Sequence, residues 1–137
     1  MAPSIVLVGL PHNHPAVPAD LQEIVRTGLE QAREAVQTLP YPVTYEFLPF
    51  TPEEPIDNLK NALKQRNVDG VVIGLGIRGN VPLTPFFEKI VNAVVEARPG
   101  AKLMFNTDPK STVDAIQRWF GKEEAPAYTA DVPLIGS

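Results

Sequence analysis

The sequence predicts a single doubly wound α/β domain built on a parallel sheet with helices on both faces. Two observations carry that expectation. Short apolar runs rich in β-branched residues alternate with segments of helical periodicity, four times along the chain. Fifteen prolines in 137 residues punctuate the chain and make its segments easy to cut. One domain is expected at this length, and such a domain buries roughly 68–70% of its unfolded surface without staples.

Ile5–Leu10 reads as a strand buried on both faces. Pro11, Pro15 and Pro18 then impose an irregular loop. Asp20, with Glu23 three residues on, has the form of an acidic capping box. The helix it opens would place Leu21, Ile24, Val25, Leu29, Ala32 and Val36 on one face, and Pro40 and Pro42 stop it. Val43–Leu48 is the second strand. Thr51-Pro52-Glu53-Glu54 signals a helix start, with Pro55 able to delay the first turn to Asp57, and Ile56, Leu59, Leu63 and Val68 suit one helical face.

Asp69-Gly70 is turn chemistry, and Val71–Gly74 is the third strand. Thr84-Pro85 opens a helix with a broad apolar face from Phe86 to Val95, which Pro99-Gly100 ends. Ala101–Phe105 is the fourth strand. Thr107 or Asp108 is expected to cap the last helix before Pro109, with Val113, Ile116, Trp119 and Phe120 turned into the core. Residues 121–137 read as an irregular tail with an apolar end at Leu134-Ile135.

Strand order follows from charge. The first and third strands carry none and should be central, whereas Glu46 and Lys102 suit edges. The order 2-1-3-4 results, the flavodoxin-like arrangement, with its switch point between strands one and three. The competing order 3-2-1-4 would put the most apolar strand at an edge.

Composition excludes several classes of function. Without cysteine there is no disulfide framework, thiolate metal site or cysteine nucleophile. Twelve Lys+Arg against sixteen Asp+Glu give a net charge of −4, which argues against a nucleic-acid or anionic-membrane partner. No apolar run approaches the ~18 residues of a membrane span, so a cytoplasmic protein is expected.

In open α/β sheets, ligands sit outside the carboxyl ends of the strands at the switch point. There the loop Leu10–Ala16 brings both histidines of the chain, His12 and His14, and the loop Gly74–Pro82 brings Arg78 among glycines. Histidine exchanges protons near neutral pH, and an arginine holds carboxylate or phosphate with paired donors. Gly76 and Gly79 would let backbone N–H groups approach an anion. Asn80, Asn106 and Thr107 flank the same crevice. His12, His14 and Arg78 are therefore the candidate catalytic residues, and Gly76, Gly79, Asn80, Asn106 and Thr107 the candidate substrate-binding ones. Each also has a structural reading: loop carbonyl bonds for the histidines, an ion pair for Arg78, and a strand-to-helix turn for Asn106-Thr107-Asp108.

Three motifs weigh less. Gly74-x-Gly76-x-x-Gly79 matches a dinucleotide fingerprint, but Pro82 and Pro85 delay the helix and no strand-end acid lies ~20 residues on. His12-x-His14 lacks an evident third metal ligand, so no metal is expected. Ser4, Ser111 and Ser137 lie at no nucleophile elbow.

Val71–Arg78, together with Phe105-Asn106-Thr107-Asp108-Pro109, resembles a set of small bacterial and fungal single-domain proteins of uncharacterised function, over roughly residues 68–120. The resemblance implies a Rossmann-like or flavodoxin-like domain with a glycine-arginine loop and an Asn-Thr turn, and it implies no activity. Flavodoxins proper carry a hydroxyl- and glycine-rich phosphate loop after strand one, and Pro11-His12-Asn13-His14-Pro15 is unlike it. No cofactor is expected. Two functions follow as expectations: a cofactor-free acid/base enzyme on a small anionic metabolite, or a non-catalytic ligand-sensing or interaction module. A homodimer through the Phe86–Val95 helix or the tail is a further expectation.

Overall fold

The computed structural model describes residues 2–121, so the tail with Leu134-Ile135 lies outside the described residues. Four strands, β1 (Ser4–Gly9), β2 (Thr44–Pro49), β3 (Gly70–Ile73) and β4 (Lys102–Phe105), pair in parallel in the order β2-β1-β3-β4. Leu7 lies beside Phe47 on one side and Val72 on the other, and Val72 beside Met104. The expected order holds, for the reason read from the charges. All four residues of β3 are buried, while β2 and β4 present Glu46 and Lys102 at the edges.

Five helices complete the described chain: α1 (Gln22–Val36), α2 (Ile56–Lys64), α3 (Leu75–Arg78), α4 (Thr84–Ala97) and α5 (Thr112–Phe120). Alternation along the strands sends side chains to two separate cores. Val6, Val8, Val71 and Ile73 meet Leu59 and Leu63 of α2 and Phe86, Ile90 and Val94 of α4. Ile5, Leu7, Val72 and Met104 meet Val36 of α1 and Ala115 and Ile116 of α5. Crossovers on both faces make the sheet doubly wound. Phe86 stacks on Phe50 at 5.6 Å, and Phe87 meets Phe105 edge-on at 6.0 Å. The apolar face of α4 is thus turned to the sheet, and Val95 is the exposed large apolar residue on that helix.

Several local expectations are corrected. Asp20 lies in a 3₁₀ turn, Ala19–Leu21, and makes no side-chain cap; α1 starts after that turn has already aligned the backbone. Glu54 accepts from the Thr51 N–H and hydroxyl, closing a separate turn ahead of Pro55, and α2 starts at Ile56. That helix stops at Lys64, where Arg98 donates to the Leu63 and Lys64 carbonyls, so Val68 lies beyond it. The stretch read as loop Gly74–Pro82 contains the one-turn α3 and a 3₁₀ turn, Val81–Leu83. The last helix starts at Thr112 and not at Pro109: Asp108 Oδ1 accepts from the Ser111 N–H at 2.8 Å and closes a preliminary turn. Trp119 is 53% exposed, because α5 turns Thr112, Ala115 and Ile116 inward; its ring lies under Lys102 Nζ at 5.7 Å.

These placements separate two substitutions on α5. Ile116→Ala is expected to lower unfolding free energy by about 2–4 kcal/mol, and Trp119→Ala by less than about 1 kcal/mol. Urea denaturation of both variants checks the contrast; equal losses would contradict the observed facing of the helix.

Candidate functional site

The switch point lies between β1 and β3, and a cavity of about 740 Å³ opens at their carboxyl ends. That size falls within the ~300–1,000 Å³ of small-molecule sites. Four segments wall it. The loop after β1 contributes Leu10, Ala16, Val17 and Pro18; α1 contributes Val25 and Leu29, with Leu21 just before it; the β3 side contributes Leu75, Ile77, Val81 and Pro82. Residues 106–109, following β4, close the fourth side.

The burial of α1 is concentrated in its second half. Gly28, Ala32 and Val36 are its buried residues, so small side chains set the approach there. A Cβ at Gly28 would stand 3.0 Å from the Pro109 ring, so the absence of a side chain lets the turn after β4 lie against the helix. Toward the N-terminus Leu21, Val25 and Leu29, four residues apart, line the cavity, and Leu29 also packs against the core around Ile5 and Leu7.

Asn106 ties the two β-strand exits together. It is 3% exposed; its Oδ1 accepts from the Leu75 N–H at 2.9 Å, and its Nδ2 donates to Thr112 Oγ1 at 3.1 Å. The Thr112 hydroxyl in turn donates to the Pro109 carbonyl. One carboxamide therefore joins the start of α3 to the start of α5. Among the expected ligand-binding residues, Asn106 lines the cavity while holding it together.

The others are placed as follows. Gly76, Gly79, Asn80 and Thr107 also line the cavity. Thr107 is engaged through its N–H and hydroxyl with Ser111 Oγ. An anion-binding nest of backbone N–H groups does not form, because the turn uses them internally: Ile77 and Arg78 donate to the Gly74 carbonyl, Gly79 to Leu75 and Asn80 to Ile77. The Gly76 N–H and the Asn80 carboxamide have no hydrogen-bond partner among the described residues.

Gly76 has a further property. It adopts no left-handed backbone, and a Cβ built there would meet nothing within 4 Å. Glycine inside a helical turn costs about 1 kcal/mol relative to alanine. Neither backbone conformation nor a neighbour requires the glycine, which is exposed and lies on the cavity lining.

None of the three charged candidates lines the cavity. Arg78 donates to the Asn106 carbonyl at 2.9 Å, and its guanidinium lies 5.5 Å from the centre of the Phe105 ring, outside the cavity lining. His14 engages the segment after β2: its Nε2 lies 3.0 and 2.9 Å from the two carboxylate oxygens of Glu53. Its Nδ1 accepts from the Ala16 N–H at 3.0 Å. His12 is half-buried near Glu23 of α1, whose carboxyl is held low chiefly by the hydrogen bond from Arg26 and only in small part by His12. Among the described residues lining the cavity the one charged side chain is Asp108. No group of three or more His, Cys, Asp or Glu that could hold a metal occurs among the described residues.

Glu53, the partner of His14, was missed from sequence because it lies 39 residues away in a turn read as a helix start. The cavity-lining role of Leu21, Val25 and Leu29 was missed because their spacing is that of any core-facing helix. No protein-family model, curated protein or solved structure matches the chain.

The Glu53 carboxyl is held below the usual glutamate range, first by the His14 hydrogen bond and then by a backbone N–H. A carboxyl lowered by folding favours the native state above its unfolded pKa, and that contribution is lost as pH falls through the folded value. His14→Ala is expected to return the Glu53 carboxyl toward the ordinary range, read by its ¹³C shift titration. An unchanged midpoint would exclude the pair. Asn106→Ala is expected to cost about 1–3 kcal/mol, because the Leu75 N–H loses its acceptor, as measured by chemical denaturation.

Proposed function

We propose that the protein is a small-molecule-binding domain that takes a compact, largely apolar, uncharged ligand at the carboxyl ends of β1 and β3. The observation that carries this reading is the cavity wall: apolar side chains from the loop after β1, from α1 and from the β3 side, with Gly76 on the lining. The Gly76 N–H and the Asn80 carboxamide supply one donor and one donor–acceptor pair for orientation. A few fixed polar groups on an apolar wall are how such sites combine affinity with specificity.

The charge balance supports a neutral ligand. Asp108 would repel a carboxylate or phosphate, and no cationic side chain among the described residues lines the wall to offset it. Acid/base catalysis by His12 or His14 would need an imidazole within about 3 Å of the reacting group or one water away, and neither ring lines the cavity. The reading as a binding or sensing module therefore stands ahead of the enzyme.

One observation favours an anionic ligand as the second reading. Arg78 has no carboxylate partner among the described residues, and the carbonyl it bonds belongs to Asn106, a cavity residue. A modest rotation would free it for an anion at the rim.

The two readings diverge under a thermal-shift screen of neutral heterocycles and ketones against size-matched carboxylates and phosphates, since a ligand that binds only the native state raises its melting temperature. The expected outcome is stabilisation by neutral apolar compounds, abolished by Gly76→Leu and retained within about twofold in Arg78→Ala. Stabilisation by anions alone, lost in Arg78→Ala, would reverse the order of the readings.

A further inference from the structure

We infer that His14 is the positioning residue of the cavity, and that it couples ligand binding to its own protonation; the inference rests on the proposed binding site. The argument starts from the two ring nitrogens. The Glu53 carboxylate offers only acceptors, so the Nε2 that meets both its oxygens carries the proton. Nδ1 accepts from the Ala16 N–H, so it carries none. Both contacts are satisfied together by one species alone, the neutral imidazole protonated at Nε2.

Ala16 is no bystander. Ala16 and Val17 line the cavity and lie against the core beside Leu10. The segment holds its shape through consecutive turns, His14 N–H to the Pro11 carbonyl and Val17 N–H to the His14 carbonyl. His14 therefore fixes this wall at both ends: by its own backbone within the loop, and by its ring across to Glu53 after β2. The ring is well enclosed, with 10% of the side chain exposed, whereas Glu53 is 67% exposed.

A second proton on the ring would set Nδ1–H directly against the Ala16 N–H at the same 3.0 Å. Two donors facing each other repel, and the contact must open. Glu53 pulls the other way, since an imidazolium is held there more strongly than a neutral ring. The ring thus keeps Glu53 and releases Ala16, and the cavity wall moves. Glu53 is the one charged side chain in ion-pair contact with His14 among the described residues. Glu54, in the same turn, is directed to Thr51, and His12 lies toward Glu23 of α1.

Two conservative variants separate positioning from bulk. An asparagine places its carbonyl oxygen near the position of Nδ1, so His14→Asn keeps an acceptor for Ala16, loses Glu53 and cannot titrate. A glutamine places its amide nitrogen near Nε2, so His14→Gln keeps a donor to Glu53 and loses the Ala16 acceptor. Binding of a neutral apolar fluorescent probe, anilinonaphthalene amide, is to be measured from about pH 8 to about pH 5, the span over which histidines change charge. Protection of the Ala16 amide from hydrogen exchange, corrected for the intrinsic pH dependence, is measured alongside.

In the wild-type protein both binding and Ala16 protection should fall on acidification by about fivefold, the worth of one hydrogen bond. His14→Asn should match the wild type at the alkaline end and stay flat with pH. His14→Gln should be weak throughout. Equal losses in His14→Asn and His14→Gln, or a flat wild-type profile in Ala16 protection, would overturn the clamp. Ala16 protection that behaves as expected while the probe binds nowhere would leave the clamp standing and remove the ligand reading alone.

Discussion

The geometry of the carboxyl edge follows from the burial of β3. All four of its residues are inaccessible, and it lies between β1 and β4 with cores on both faces. A strand buried on both faces cannot exchange places with β2 or β4, which carry Glu46 and Lys102, without taking a charge into the interior. Once β3 sits beside β1, the chain must leave β1 toward β2 and leave β3 toward β4. The two exits diverge, and a crevice opens between them.

Two side chains tie together the segments that wall this crevice. Asn106 is the brace on the β4 side, with one carboxamide satisfying the first N–H of α3 and the hydroxyl that starts α5. His14 is the counterpart on the β1 side, between the Ala16 N–H and Glu53. Both side chains were expected to act on a ligand through polar chemistry. In the structure they act on the backbone that surrounds the space. Short, directional contacts of this kind rigidify an apolar hollow while leaving its lining apolar.

The arginines show the same economy. Arg78, Arg98 and Arg118 each donate to main-chain carbonyls at strand or helix ends, at Asn106, at Leu63 and Lys64, and at Phe105. Arg66 divides its donors between the Ala62 carbonyl and Glu46, whose carboxyl it holds low. Carbonyls left over where helices and strands stop need donors. A guanidinium supplies several at once, which is why an arginine among glycines reads from sequence as an anion clamp and serves here as a cap.

Fold class, strand order and the position of the cavity were legible in the sequence, because each depends on quantities a sequence contains: apolar periodicity, the placing of charge, and the rule that relates strand order to crossover direction. Phe86 and Ile116 were legible as core for the same reason, and Trp119 was not, because a helical stripe two residues wide does not say which edge the sheet will cover. What only tertiary structure decided is the character of the site. The pairing of His14 with Glu53 spans 39 residues, and the bonds of Asn106 span 31 and 6. Spacing along a chain identifies which residues reach one rim; the direction in which each side chain turns there is set by the nearest unmet donor or acceptor, and those are brought together by folding alone.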